Sequence, residues 1–490
     1  MNVLFLMADD LRCELGCYGS KALTPRLDQL ASRGIRYDRA YCQQAVCNPS
    51  RSSLLTGKRP DTLRLWNNGT HFRERNPDVV TLPGVFKAAG YDTLCVGKIF
   101  HNWHTAVKGD RPSWTADEFL HYANHGDDKP LVGDSKNLAS LPNLAGIADW
   151  NYGQTRITEC LDVPDEAYYD GRVADMAVKT LERLHAAAAD SSSGGATAKS
   201  TARKPFFLAV GFWKPHAPFN APKKYWDLYD RASLRLDAAA AAARMPENGL
   251  AIAMHDSREL LGIPPATHLP NAAQSAEMRH GYFANISYMD AQIGKVLDAL
   301  ERLGYRDNTA IVFVGDHGYQ IGEHTLWGKT SCFENDARVP LILCPPGGMA
   351  KTSTRQLVEL IDLFPTLTQL SGLPTPAGLE GVSLVDPASS NKTAAFTQHP
   401  RPAYYDRTPT KTPSAMGYSV RTTTHRYTEW RAWSDGQGIG AELYDHTTDP
   451  DETLNLVNST NSADVLAAAR ARLHAQFPTG VSPADRERLK

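Results

Sequence analysis

Long apolar runs are missing from this chain. No segment approaches the roughly 20 residues that a membrane-spanning helix needs, so no insertion into a bilayer is expected. Cysteine is sparse too: eight in 490 residues, with no CxxC pair, are too few for a disulfide scaffold and lack the spacing of a zinc site. Nor does either sign of charge dominate, because 52 Lys and Arg face 54 Asp and Glu. Without a global field there is nothing to draw the chain to nucleic acid or an anionic membrane, and an anionic substrate must be held by a local pocket. No basic segment or cleavage site precedes the strand-like Val3-Leu4-Phe5-Leu6-Met7. As written, the chain is expected to stay in the cytoplasm, and to be periplasmic or secreted only if a signal peptide has been removed.

What is present is an alternation of apolar runs with amphipathic stretches, the βαβ pattern of a largely parallel sheet covered by helices on both faces. Strands are predicted at Val3–Met7, Asp92–Val96, Phe206–Phe212, Ala310–Val314 and Val339–Cys344. A helix is predicted from about Ala276 to Leu303, with Tyr282, Ile286, Met289, Ile293, Val296 and Leu300 on one stripe and Gly304 as its stop. That stripe reads as core packing, and Tyr288 and Asp290 as packing and capping residues. Ala187–Lys204, rich in Ala, Ser, Gly and Thr, reads as a surface loop after a helix ending near His185. Beyond Gly372, Pro- and Gly-rich loops lead to strand-like pieces at Tyr418–Val420, Tyr427–Trp430 and Leu443-Tyr444, then a helix near Ala463–Gln476. The expected division is a catalytic α/β domain over 1–372 and a smaller α+β subdomain over 373–490.

The first strand ends in Asp9-Asp10, and open α/β sheets collect ligands at the carboxyl ends of their strands. Alone, the pair reads better as a solvated turn with Asp10 capping a helix. A second acidic strand end, Val314-Gly315-Asp316-His317, changes the balance. Asp9, Asp10 and Asp316 form an oxygen-rich set suited to Ca²⁺, or less well Mg²⁺, while His317 is an unusual ligand for so hard an ion. Cys47-Asn48-Pro49-Ser50-Arg51 places Cys47 at a helix N-terminus, where an anion or thiolate is favoured, although a buried structural cysteine is the competing reading.

Cys-x-Pro-Ser-Arg followed by Leu-x-Thr-Gly resembles the signature of the formylglycine-dependent sulfatases, and the iduronate-2-sulfatase branch in particular. Asp9-Asp10-Leu11-Arg12, Gly97-Lys98-Ile99-Phe100-His101, Lys214-Pro215-His216, Asp316-His317-Gly318, Gly322-Glu323-His324 and Met416-Gly417-Tyr418-Ser419-Val420-Arg421 fall in the family order. The resemblance implies an alkaline-phosphatase-like fold: a large mixed or parallel sheet flanked by helices, with a smaller C-terminal part. It implies Ca²⁺ held by Asp9, Asp10, Asp316, His317 and the formylglycine made from Cys47, and a formylglycine-generating enzyme as maturation partner. Arg51 and Lys98 match residues holding the formylglycine and the charge near the metal. His101 matches a contact to the formylglycine hydroxyl, and His216 and Lys329 match the pair that binds sulfate and faces the leaving oxygen. The implied substrate is a sulfated glycan, with a 2-O-sulfate on a terminal uronic acid.

A sulfate ester is anionic and poorly electrophilic, so its site must neutralise oxygens and supply a nucleophile stronger than water. Arg421, Arg401 and His399 are candidates for holding a substrate carboxylate, with strand-edge or surface roles equally open. Taken singly, Lys98, Lys329, His101 and His216 also read as surface or loop residues. The pattern departs from the family at Pro112–Gly153 and Asp237–Pro264, where rim loops are expected. Competing readings are a phosphodiester or phosphonate hydrolase of the same superfamily and a non-catalytic binder of sulfated glycan, which the uninterrupted Cys47–Arg51 motif argues against.

Overall fold

The computed structural model describes residues 1–101, 105, 107, 109–119, 158–192, 204–236, 270–350, 352–386, 392–482 and 485. Along them run β1 (Asn2–Asp9), β2 (Ile35–Tyr41), β3 (Asp92–Gly97), β4 (Thr158–Leu161), β5 (Phe206–Pro215), β6 (Phe219–Pro222), β7 (Thr309–Gly315) and β8 (Gln320–Ile321). These are followed by β9 (Trp327–Gly328), β10 (Arg338–Cys344), β11 (Thr352–Glu359), β12 (Ala395–Arg401), β13 (Ala415–Arg421), β14 (His425–Ala432) and β15 (Gly438–Asp445). The main sheet has the order β11-β2-β10-β7-β1-β5-β3, and a second sheet has the order β12-β13-β14-β15.

Alternation along β1 explains the layering. Val3, Phe5 and Met7 enter one core with Leu54, Leu55 and Phe364, while Leu4, Leu6 and Ala8 enter the opposite core with Leu27, Val173 and Ile286. Helices therefore cover both faces, which leaves the strand ends as the place for chemistry. The helix predicted at Ala276–Leu303 spans Ala272–Arg302 and starts in a capping box between Asn271 and Gln274. Its Asp290 accepts from the backbone N–H groups of Arg26 (3.1 Å) and Leu27 (2.8 Å), capping the helix Pro25–Ala31. Tyr288 packs as read, its hydroxyl bridging the Asp165 carbonyl and the Gly171 N–H.

The sheet is mixed, one of the two forms expected: β10 is antiparallel to both β2 and β7, and the other pairings are parallel. β2 and β11 escaped the sequence reading since both carry several half-buried or exposed polar residues, unlike the continuous apolar run of an inner strand. The helix expected to end near His185 continues to Ser192, and 193–203 of the expected loop lie outside the described residues. So do 120–153 of the first divergent segment and all of Asp237–Pro264. In the second sheet the helix Ala463–Gln476 sits where expected and contributes Ala469 and Leu473 to a core with Met416, Tyr418, Val420 and Leu443. Its first strand, β12, was not anticipated. Among the described residues no helix is long and apolar enough to cross a membrane.

Candidate active site

Parallel pairing of β1 with β7 puts Ala8 opposite Gly315, so Asp9-Asp10 and Asp316-His317 leave the sheet side by side. The backbone turns sharply there: Asp10 has φ 60°, a left-handed conformation that aspartate tolerates better than most residues. Tyr282 holds the turn, donating to the Asp10 carbonyl (2.7 Å) and accepting from the Arg12 N–H (3.2 Å). Asp316 Oδ1 accepts from the N–H groups of Asp10 (3.1 Å) and His317 (2.8 Å), which ties the two strand ends together.

The helix Cys47–Thr56 is buried along its whole length and ends at Gly57, whose φ of 66° favours glycine. Several of the polar side chains on this buried segment find hydrogen-bond partners. Ser50 Oγ donates to the Asp316 carbonyl (2.5 Å), and Arg51 Nε donates to Asp316 Oδ2 (2.7 Å). Arg51 also lies 3.5 Å from Asp9 Oδ1 and donates to the Ile99 carbonyl (3.1 Å).

Cys47 opens that helix at the centre of the cluster. Its Sγ is 3.3 Å from Asp9 Oδ1, 3.3 Å from His317 Nε2 and 3.2 Å from Lys329 Nζ. Lys329 also donates to Asp10 Oδ1 (2.7 Å), Lys98 donates to Asp9 Oδ2, and His216 Nε2 is 3.8 Å from Asp10 Oδ2. His101 follows Lys98 on the segment leaving β3 and is buried. Three carboxylates thus face three cations, Arg51, Lys98 and Lys329, all of them buried.

Burial disfavours ionisation of Asp9, but Lys98 and Arg51 outweigh it and hold the carboxyl well below its usual value. Asp316 goes the other way: burial, opposed by Arg51 and reinforced by Asp9, pushes it up to about 6. His317 and His216 are both lowered well below the ordinary imidazole value, by burial first and Lys329 second. A neutral His317, with Nδ1 on the Gly318 carbonyl (2.9 Å), presents Nε2 inward as a metal ligand would. Burial, then Asp9, pushes the Cys47 thiol well up.

The donor set fits a hard cation. Ligand atoms of Asp9, Cys47, Asp316 and His317 all lie within 4.8 Å of one another, as do those of Asp9, Asp10, Cys47 and His216. The carboxylates are the right donors for such an ion, and sulfur is a poor one.

Of the residues singled out in the sequence, Arg421 does not join this cluster. It sits at the far end of β13 from Ala415 and donates to Glu334 Oε2 (3.2 Å), because the strand pairs Arg421 with Ala395 and Ala415 with Arg401. Arg401 is at the near end and donates to the Thr330 carbonyl (2.7 Å), next to Lys329. His399 is fully buried beside Gly417. Two contributors went unrecognised. Tyr282 was hidden in an apolar helix stripe, and Trp213, whose ring lies 4.3 Å from Lys98 Nζ, falls one residue beyond the strand predicted at Phe206–Phe212.

A mixed sheet with helices on both faces, and carboxylates converging at its strand ends beside a helix N-terminus, defines an alkaline-phosphatase-like fold. Solved structures agree. A protein in complex with its substrate D-glucosamine-2-N,6-O-disulfate superposes with a TM-score of 0.72 at 20% identity, covering 99% of this chain and 98% of that one. A phosphonate monoester hydrolase of Agrobacterium radiobacter gives a TM-score of 0.73 at 22% identity, covering 97% and 95%. The sulfatase family profile matches residues 1–373, and that of the N-sulphoglucosamine sulphohydrolase C-terminal region matches 322–477. Iduronate 2-sulfatase of Mus musculus is 32% identical over 545 residues, covering 96% of this chain and 93% of its own. The chain belongs to the sulfatase family and is a sulfuric ester hydrolase.

Proposed function

We propose that this sulfatase acts on sulfated glycans of the glycosaminoglycan type and removes a 2-O-sulfate from a terminal uronic acid, using an oxygen nucleophile made from Cys47. The observation that carries the mechanism is the convergence of Asp9, His317 and Lys329 on Cys47 Sγ at 3.2–3.3 Å. The substrate reading is supported by the relative named iduronate 2-sulfatase.

Asp9, Asp10, Asp316 and His317 would hold Ca²⁺, which as a Lewis acid would withdraw charge from the sulfate oxygens. Hydrated formylglycine at position 47 would supply two hydroxyls on one carbon, one to attack sulfur and one whose deprotonation expels sulfate. The remaining steps fall to ordinary side chains. Arg51 fixes Asp316 and the helix bearing residue 47, and Lys98 balances Asp9. Lys329 and His216 bind the sulfate; the anion beside His216 opposes the burial and the Lys329 charge that keep its imidazole neutral, so that it takes up a proton and hands it to the leaving oxygen, and His101 accepts the proton from the second hydroxyl. We read 373–490 as the subdomain that completes the rim, a reading supported by Arg401 reaching the Thr330 carbonyl.

Mass analysis of the peptide containing Cys47 tests the nucleophile: an aldehyde or its hydrate is expected, and an active protein holding only a thiol defeats the proposal. A screen of 2-O-sulfated uronate disaccharides against 6-O-sulfated hexosamines and sulfated fucose tests the substrate. Release from either of the latter, with none from the uronate, moves the specificity elsewhere. Comparing aryl sulfate with phosphonate ester turnover separates the sulfatase from a phosphonate or phosphodiester hydrolase.

A further inference from the structure

Four strands send arginines to one place away from the catalytic cluster. Arg36 and Arg39 from β2, Arg338 from β10, Arg355 from β11 and Arg421 from β13 line a pocket of about 350 Å³ that shares no lining residue with the Cys47 site. Only two carboxylates, Asp38 and Glu334, line it with them. Both are already engaged: Arg36 Nε takes Asp38 (2.7 Å), and Glu334 Oε2 is shared by Arg421 (3.2 Å) and Arg426 (2.6 Å). Arg338 Nε is spent on the Asp38 carbonyl (2.8 Å). Among the described residues, Arg39 and Arg355 have neither an ion pair nor a side-chain hydrogen bond. Burial first, and then the like charges of Arg355 and Arg421, lower Arg39 from its ordinary value, opposed by Tyr41 and Glu334.

Guanidinium groups that outnumber their counter-ions are offset by an anion with several acceptor oxygens, and the planar donor fork suits sulfate and phosphate in particular. We propose that this pocket is a second, non-catalytic site for a tetrahedral oxyanion, a sulfate or phosphate group, with Arg39 and Arg355 as its uncommitted donors. The site stands apart from the proposed catalytic function, since its occupancy can be read without turnover. It also gives Arg421 a place in anion binding other than the one expected at the catalytic rim.

Calorimetric titration with inorganic phosphate, on the wild type and on the Arg39→Ala/Arg355→Ala double variant, tests the assignment. The wild type is expected to take up one phosphate more than the variant, while both turn over a small aryl sulfate equally. Arg39→Lys/Arg355→Lys should restore part of the binding. If the double variant does not fold, Arg355→Ala alone, at an exposed position, is expected to weaken the extra phosphate at least 5-fold. A KM for a heparin tetrasaccharide that rises at least 5-fold in the variant assigns the oxyanion to a sulfated chain bound across both sites. An unchanged KM with lost phosphate binding assigns it to a free anion. Equal phosphate stoichiometry and affinity in wild type and variant overturn the proposal.

Discussion

Cys47 Sγ is the atom on which Asp9, His317 and Lys329 converge, so residue-scale tests begin there. Cys47→Ala should reduce sulfate ester turnover to background with the fold retained by circular dichroism. Asp316→Ala removes the acceptor of Arg51 and of two backbone N–H groups at once. It should abolish both activity and stoichiometric Ca²⁺ binding measured by metal analysis; full turnover by this variant, or by exhaustively chelated protein, would count against the metal site. His216→Ala should lose about 10²–10⁴-fold on alkyl sulfates, where the leaving oxygen needs a proton, and much less on aryl sulfates with an acidic phenol. Equal losses on both would remove His216 from that role.

At the scale of elements, the cap on the helix Pro25–Ala31 is carried by a different helix. Asp290 supplies it from Ala272–Arg302, and burial, against the two N–H bonds, pushes its carboxyl up to about 7 from an ordinary 3.8. A carboxyl that binds its proton more tightly when folded contributes stability that is complete below the unfolded value and disappears as pH rises through the folded one. Between about pH 4 and pH 7 the wild type should therefore lose stability relative to Asp290→Asn, as read by urea unfolding at each pH. Parallel profiles for the two proteins would refute this. The sequence reading took Asp290 as a packing or capping residue, but the helix it serves was not legible, because the partners are far apart in the chain.

For the whole molecule, the join between the two sheets is charged and buried. Arg426 on β14 donates to Glu452 Oε1 (2.6 Å) and to Glu334 Oε2 (2.6 Å), and Glu334 starts the short helix that leads into β10. Removing one member of such a network leaves the others buried without compensation, at about 3–5 kcal/mol. Arg426→Ala should lower the unfolding free energy by about that much in denaturant titration. A loss below about 1 kcal/mol would mean that the join is held by apolar contacts such as Phe333 against Tyr444.

Some of this was determined by the sequence alone. β1, β5 and β7 are continuous apolar runs with polar ends, so their identity as inner strands and the position of Asp9, Asp10, Asp316 and His317 at their ends needed no tertiary information. The Cys47–Arg51 motif is local as well, since one short helix carries it. Other features only the tertiary structure decided. The reversal of β10, the strands β2 and β11, and the support given by Tyr282 and Trp213 depend on which strands lie side by side. The two ends of β13 illustrate the difference. Arg401 and Arg421 look alike as basic residues on neighbouring strands, yet antiparallel register sends one to the carbonyl beside Lys329 and the other to a separate arginine pocket. Register is a property of pairing between distant segments, and no local pattern encodes it.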